Sequence, residues 1–205
     1  MEGSQFVAHP GKQQTTDQFL RHHLVRALVL DFDGVFTDNK VIVAADGTES
    51  VVCDRSDGLS INALQRREFP ILVLSGETAP MVRMRCQKLG LNCIHSSVDK
   101  VAALRSWLKK RNINPKNVIY VGNDVNDIGC MKYVGLPMAV ADAFPETRAV
   151  ASHILTSRGG NGAVREIALA VSSLLDAGSR TPAHALVTPR GGYAARSRRA
   201  GKRSK

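Results

Sequence analysis

Ala27-Leu28-Val29-Leu30-Asp31-Phe32-Asp33-Gly34 is the stretch whose reading decides the fold. Four apolar residues in an unbroken run suit a strand buried on both faces, as in a parallel sheet. The run stops at an acid, and a second acid follows two places on. Residues i and i+2 of an extended segment point to the same side, so both carboxylates leave the strand tip together. The glycine behind them permits a sharp turn. Two acids this close repel unless a proton or cation lies between them. Mg2+ suits the pair, because it is hard, prefers oxygen, and commonly takes one or two carboxylates plus phosphate oxygens. Read by itself, Asp31 to Gly34 serves equally well as a solvated turn.

Outward from this stretch, similar runs recur at Ile71-Leu72-Val73-Leu74 and Val118-Ile119-Tyr120-Val121. Segments of helical period lie between them: Leu59 to Arg67, Ala79 to Leu89, and Val98 to Arg111, the last with Val101, Leu104, Trp107 and Leu108 on one face. A last helix closes at Ser173 to Asp176. Strand alternating with helix predicts an α/β protein, a Rossmann-like doubly wound parallel sheet. One segment breaks the alternation: Lys40 to Asp54 runs Val-Ile-Val, Asp46-Gly47, Val51-Val52, which predicts a β-hairpin flap over the carboxyl edge of the sheet.

The other strand ends complete a set. Gly122-Asn123-Asp124-Val125-Asn126-Asp127 brings oxygen donors to a second tip, on the same edge of the sheet as Asp31. Ser75-Gly76 offers a hydroxyl and backbone N–H groups to an anion. Lys100 lies near a helix start, where a cation gains nothing from the helix dipole; phosphate binding gives it a reason to be there. The order of acid pair, hydroxyl, lysine and acid cluster, each at a strand end, carries more than any one member.

Composition sets the bounds. At 205 residues and 43% hydrophobic, the chain can bury one sizeable core. The formal charge of +10 is uneven: residues 178–205 hold eight basic and no acidic side chains, leaving about +2 for the rest. We therefore divide the chain into a flexible leader (1–24), a catalytic domain (25–177) and a basic, disordered tail (178–205), with nonspecific charge rather than nucleic-acid recognition in the tail. No apolar run approaches the roughly 18 to 20 residues of a membrane span, and the start lacks a signal-peptide core. Cys53, Cys86, Cys93 and Cys130 show neither zinc nor disulfide spacing, and read as reduced thiols of a cytoplasmic protein.

Over residues 26–172 the sequence resembles the haloacid dehalogenase (HAD) superfamily of phosphatases. The resemblance rests on Asp31-Phe-Asp-Gly-Val-Phe-Thr-Asp38, Arg55-Ser56-Asp57-Gly58, Val98-Asp99-Lys100, Val121-Gly122-Asn123-Asp124 and Arg158-Gly159-Gly160-Asn161-Gly162. The most similar subgroup is that of small enzymes without a large cap domain, acting on phosphates of 3-deoxy-2-keto sugar acids: the octulosonate 8-phosphate and nononate 9-phosphate phosphatases. The phosphatase-like module of acylneuraminate cytidylyltransferases is similar too. The resemblance implies Asp31 as nucleophile and Asp33 as general acid/base. It implies Mg2+ held by the Asp31 carboxylate, the Asp33 carbonyl and Asp124, with Asn123 and Asp127 close by, and phosphoryl oxygens bound by Ser75, Gly76 and the catalytic Lys100. Many relatives carry Asp where this chain has Asn123, which leaves open whether Asn123 or Asp124 touches the metal.

Ser75-Gly76-Glu77 resembles the Thr-Gly-Glu of the nine-carbon enzymes more than the Thr-Gly-Arg of the eight-carbon ones. This implies Glu77, Arg85 and Lys88 as sugar-acid contacts, a homotetramer with shared sites, and Arg158 to Gly162 reaching across a subunit boundary. A non-catalytic oligomerisation partner of a sugar-acid cytidylyltransferase is the alternative, against which the retention of both Asp31 and Asp33 speaks.

Overall fold

The three apolar runs become neighbouring strands at the centre of one sheet. A computed structural model describes residues 14–78 and 80–179. Along the chain it gives α1 (Thr16–Leu20), β1 (Ala27–Leu30), β2 (Ile42–Val43), β3 (Glu49–Ser50), α2 (Asp57–Gln65), β4 (Ile71–Leu74), α3 (Pro80–Leu89) and β5 (Asn92–Ile94). There follow α4 (Lys100–Lys110), β6 (Val118–Gly122), α5 (Ile128–Tyr133), β7 (Leu136–Ala139), α6 (Pro145–Val150), β8 (His153–Ile154) and α7 (Ala163–Ser179). Six strands form a parallel sheet in the order β5-β4-β1-β6-β7-β8. β1, β4 and β6 are buried throughout, as unbroken apolar runs require. Helices flank the sheet: α1 and α2 pack on α7, while α4, α5 and α6 form a second group. This is the expected doubly wound α/β architecture without a large cap.

The chain leaves β1 toward β4 and β5, then returns to the other side of β1 with β6. That reversal opens a crevice at the carboxyl ends of β1 and β6, the usual ligand position in such sheets. Both acid motifs border it.

Three helix ends are built alike, and each feeds the next core segment. After α2, Glu68 N–H bonds Gln65 C=O (2.9 Å) and Phe69 N–H bonds Leu64 C=O (3.2 Å). Gly90 and Leu91 repeat the pattern after α3, and Asn112 and Ile113 after α4. The residue at the bend takes a left-handed φ each time: Glu68 54°, Gly90 64°, Asn112 53°.

The leader differs from expectation. Thr15 and Gln18 cap α1 reciprocally, Leu20 is fully buried, and the Thr16 hydroxyl bonds both His153 (2.9 Å) and Glu166 (2.6 Å). From residue 15 onward the segment belongs to the body, because five residues suffice for a helix once an apolar anchor and a cap are supplied. α7 likewise runs past the expected end at Asp176 to Ser179. The basic tail lies outside the described residues. No helix among the described residues is long and apolar enough to cross a membrane.

Candidate active site

Beyond β1 the backbone closes one tight turn. Val35 and Phe36 N–H groups return to the Phe32 carbonyl (3.2 and 2.8 Å), and Gly34 N–H donates to the buried Thr37 hydroxyl (3.1 Å). Gly34 takes φ 75°, which a side-chain-bearing residue rarely tolerates. Phe32 and Phe36 stack beneath it, ring centres 5.6 Å apart. Asp31, 3% exposed, is thereby fixed at the strand tip, its Oδ1 accepting from the next N–H (2.7 Å). Asp33 stays partly open toward the crevice.

Lys100 reaches the same point from the other side. Backbone bonds from Ser97 N–H to Ser75 C=O (3.2 Å) and Ser96 N–H to Glu77 C=O (2.9 Å) tie the loop before α4 to the tip of β4. Asp99 caps α4 by accepting from Ala102 N–H, and Lys100 opens the helix pointing inward. Its ammonium is 2.9 Å from Asp31 Oδ1 and 2.9 Å from Asp127 Oδ1, with all three side chains buried. Asp127 is fully enclosed: Oδ1 also accepts from the Tyr120 hydroxyl (2.7 Å), and Oδ2 from Asn123 N–H (3.0 Å).

Over these groups lies a cleft of about 510 Å³. Asp31, Asp33, Ser75, Gly76, Glu77, Lys100, Asn123 and Asp124 all line it, together with Asn39 to Val41, Glu49 and Val51 of the hairpin and its approaches. Ser75 is buried and its Oγ accepts from Glu77 N–H (3.0 Å). Two expected sugar-acid contacts are not in the wall of this cleft. Arg85 donates to the Asp54 carbonyl at the foot of the hairpin (2.7 Å), and Lys88 is exposed on the last turn of α3. Both share a helix face with Met81, which does line the cleft, but stand one and two turns farther along α3.

A family model of haloacid dehalogenase-like hydrolases matches residues 80–167. The 3-deoxy-D-manno-octulosonate 8-phosphate phosphatase KdsC of Escherichia coli K12 is 34% identical over 154 residues, covering 75% of this chain and 82% of that protein. The chain belongs to the haloacid dehalogenase-like hydrolases. Among solved structures, a HAD-family chain from Streptomyces avermitilis is 44% identical, with a TM-score of 0.70 over 72% of this chain and 84% of that one. The octulosonate 8-phosphate phosphatase of Moraxella catarrhalis, in complex with magnesium, phosphate and KDO, is 30% identical with a TM-score of 0.71, over 80% and 96%.

The electrostatics of this hydrolase's cleft favour a cation. Burial first, then the Asp127 carboxylate, pushes the Asp31 carboxyl well above its ordinary range, against the pull of Lys100 and the Phe32 N–H. Burial and the Glu77 carboxylate push Asp33 up as well. Burial draws Lys100 down, but Asp31 and Asp127 outweigh it and hold the ammonium above its usual value. Asn123 Oδ1 is buried beside them without a hydrogen-bond donor. No cage of three or more His, Cys, Asp or Glu side chains exists among the described residues. The donors at hand are carboxylate, amide and carbonyl oxygens, a set suited to a hard cation that keeps part of its water. Asp124 Oδ1 meanwhile accepts from Val125 N–H, capping the 3-10 turn Val125–Asp127.

Several residues that finish the site are quiet in the sequence. Asp127 enters the sequence reading only as an acid near the metal, Tyr120 as one more core residue, and Thr37 only as a member of the motif Asp31 to Asp38. Arg158 to Gly162 packs within its own chain. A Cβ on Gly159 would lie 2.0 Å from the Gly34 carbonyl oxygen, Gly160 N–H donates to Val35 C=O (3.1 Å), and Asp142 accepts from Gly159 N–H and Arg158. These glycines let two backbones touch behind the acid turn.

Asp57, in the first turn of α2 and 1% exposed, is a separate case. Burial, then repulsion from Asp54, pushes its carboxyl up to about 7, and its Oδ1 takes no hydrogen bond.

Proposed function

We propose that this hydrolase is a Mg2+-dependent phosphatase of 3-deoxy-2-keto sugar acid phosphates. The observation that carries the reading is Lys100, buried and 2.9 Å from both Asp31 and Asp127, at a crevice that also presents Asp33 and Ser75. Mg2+ would be held by Asp31, the Asp33 carbonyl, Asp124 and Asn123, the last through its undonated Oδ1. When bound, it supplies positive charge against an anionic ester.

Asp31 attacks the phosphorus and becomes an aspartyl phosphate. Asp33, its carboxyl pushed up by burial, protonates the departing sugar oxygen and then takes a proton from the hydrolytic water. Lys100, Ser75 and the Gly76 N–H offset charge on the phosphoryl oxygens as it spreads. A site this complete gives the non-catalytic alternative no support.

For the sugar, the names of the curated relatives favour the eight-carbon ester, whereas Glu77 in the cleft wall favours the nine-carbon one. We hold to the nine-carbon acid, with Arg85 and Lys88 serving a neighbouring subunit's cleft in a homotetramer. Phosphate release from 2-keto-3-deoxynononate 9-phosphate and 3-deoxy-D-manno-octulosonate 8-phosphate, each with Mg2+, tests both levels. A larger kcat/KM for the first supports the finer reading, a larger one for the second reverses it, and turnover of neither rejects the phosphatase.

A further inference from the structure

We propose that Tyr120 is a positioning residue for phosphoryl transfer: its hydroxyl fixes the Asp127 carboxylate, which in turn holds the Lys100 ammonium against Asp31. The inference deepens the phosphatase reading and rests on it.

Tyr120 is the largest side chain wholly enclosed in this core. It stands on β6 opposite Val29 of β1, two residues before Asp31. At such a place phenylalanine would fill the same space without a polar atom to satisfy, so the hydroxyl needs a reason. It donates to Asp127 Oδ1 at 2.7 Å, the oxygen that also accepts from Lys100 at 2.9 Å. The other oxygen is held by Asn123 N–H at 3.0 Å. Asp127 is thus held at both oxygens, Oδ1 by the Tyr120 hydroxyl and Lys100, Oδ2 by the N–H groups of Asn123 and, at 3.5 Å, Asp124.

Without the phenol, the carboxylate would pivot on the Asn123 bond, because the last torsion of aspartate is soft. Lys100, on a flexible four-carbon stem, would follow it. A neutral donor suits the task, since it orients Asp127 without competing with Lys100 for its charge. The donor is permanent: burial, and after it the neighbouring Asp127, keeps the phenolic proton on well beyond its ordinary range.

The test is Tyr120→Phe in the full chain, assayed with Mg2+ on 2-keto-3-deoxynononate 9-phosphate and 3-deoxy-D-manno-octulosonate 8-phosphate beside the wild type. We expect kcat to fall about 10- to 100-fold on both esters, the scale typical of lost supporting hydrogen bonds. KM should move less than about threefold and the melting temperature by no more than a few degrees. Unchanged kcat overturns the inference, as does a loss shared equally by kcat and the folded fraction, or one confined to KM. Should the phenylalanine variant not fold, Tyr120→Leu is judged by the same split. A wild type inert toward both esters would instead bring down the phosphatase reading, and this inference with it.

Discussion

The Asp127 cluster and the hairpin that overhangs it are built on opposite terms. Around Asp127, groups from β1, α4, β6 and the following loop converge, and each charge is enclosed with its partner. The hairpin is two short strands bonded to one another, with Ile42 62%, Val43 61% and Val52 63% exposed. The first region is finished by contacts within the chain, so each member depends on the others. The second carries apolar surface that the described residues leave open, so its members are energetically independent until another surface covers them. The proposed chemistry draws on groups of the single chain, whereas the open apolar residues of the hairpin are a surface that the proposed tetramer would cover.

The sharpest blow to the first region is Asp31→Asn, which removes the proposed nucleophile and should lower phosphate release about 10^4-fold or more in a purified preparation. Lys100→Met comes next. It leaves Asp31 and Asp127 as enclosed carboxylates without a counterion, and should cost about 3–5 kcal/mol in urea unfolding, besides activity. A cost under 1 kcal/mol would mean that the cluster is less enclosed than its contacts imply.

Asp57 follows the hairpin in the chain, in the first turn of α2. Its carboxyl holds a proton to about pH 7 in the folded chain but only to about 3.9 when unfolded. Its contribution to stability is therefore full below about pH 4 and is lost as pH rises through about 7. Asp57→Asn should be more stable than wild type at pH 8, by on the order of 2 kcal/mol after allowing for solvent screening, with the gap closing toward pH 4. Comparing urea midpoints at the two pH values checks this. The smallest effect belongs to Ile42→Ser, within about 0.5 kcal/mol of wild type in the dissociated chain. If the hairpin is the assembly surface, the same change should lower the mass seen in sedimentation.

The sheet was legible because β1, β4 and β6 are enclosed on both faces and so must be apolar at every position. The edge strands escaped notice: Asn92 to Ile94 is partly exposed, and His153-Ile154 is too short to show any period. Of the three helix ends of one geometry, Gly90 declares itself in sequence while Glu68 and Asn112 do not, since the bend is imposed by the packing of the following residue. In the cleft, strand-tip residues could be named from their place after an apolar run. Asp127 could not be ranked above Asp124, because what separates them is enclosure, which appears once α4 and β6 are brought together.

The contact between Gly159 and the Gly34 carbonyl has a temporal side. A ribosome delivers the hook that carries Asp31 early and the backbone that wedges it only after most of the domain has emerged. On that order, the hook gains its backbone wedge only once residues 159 and 160 have been made.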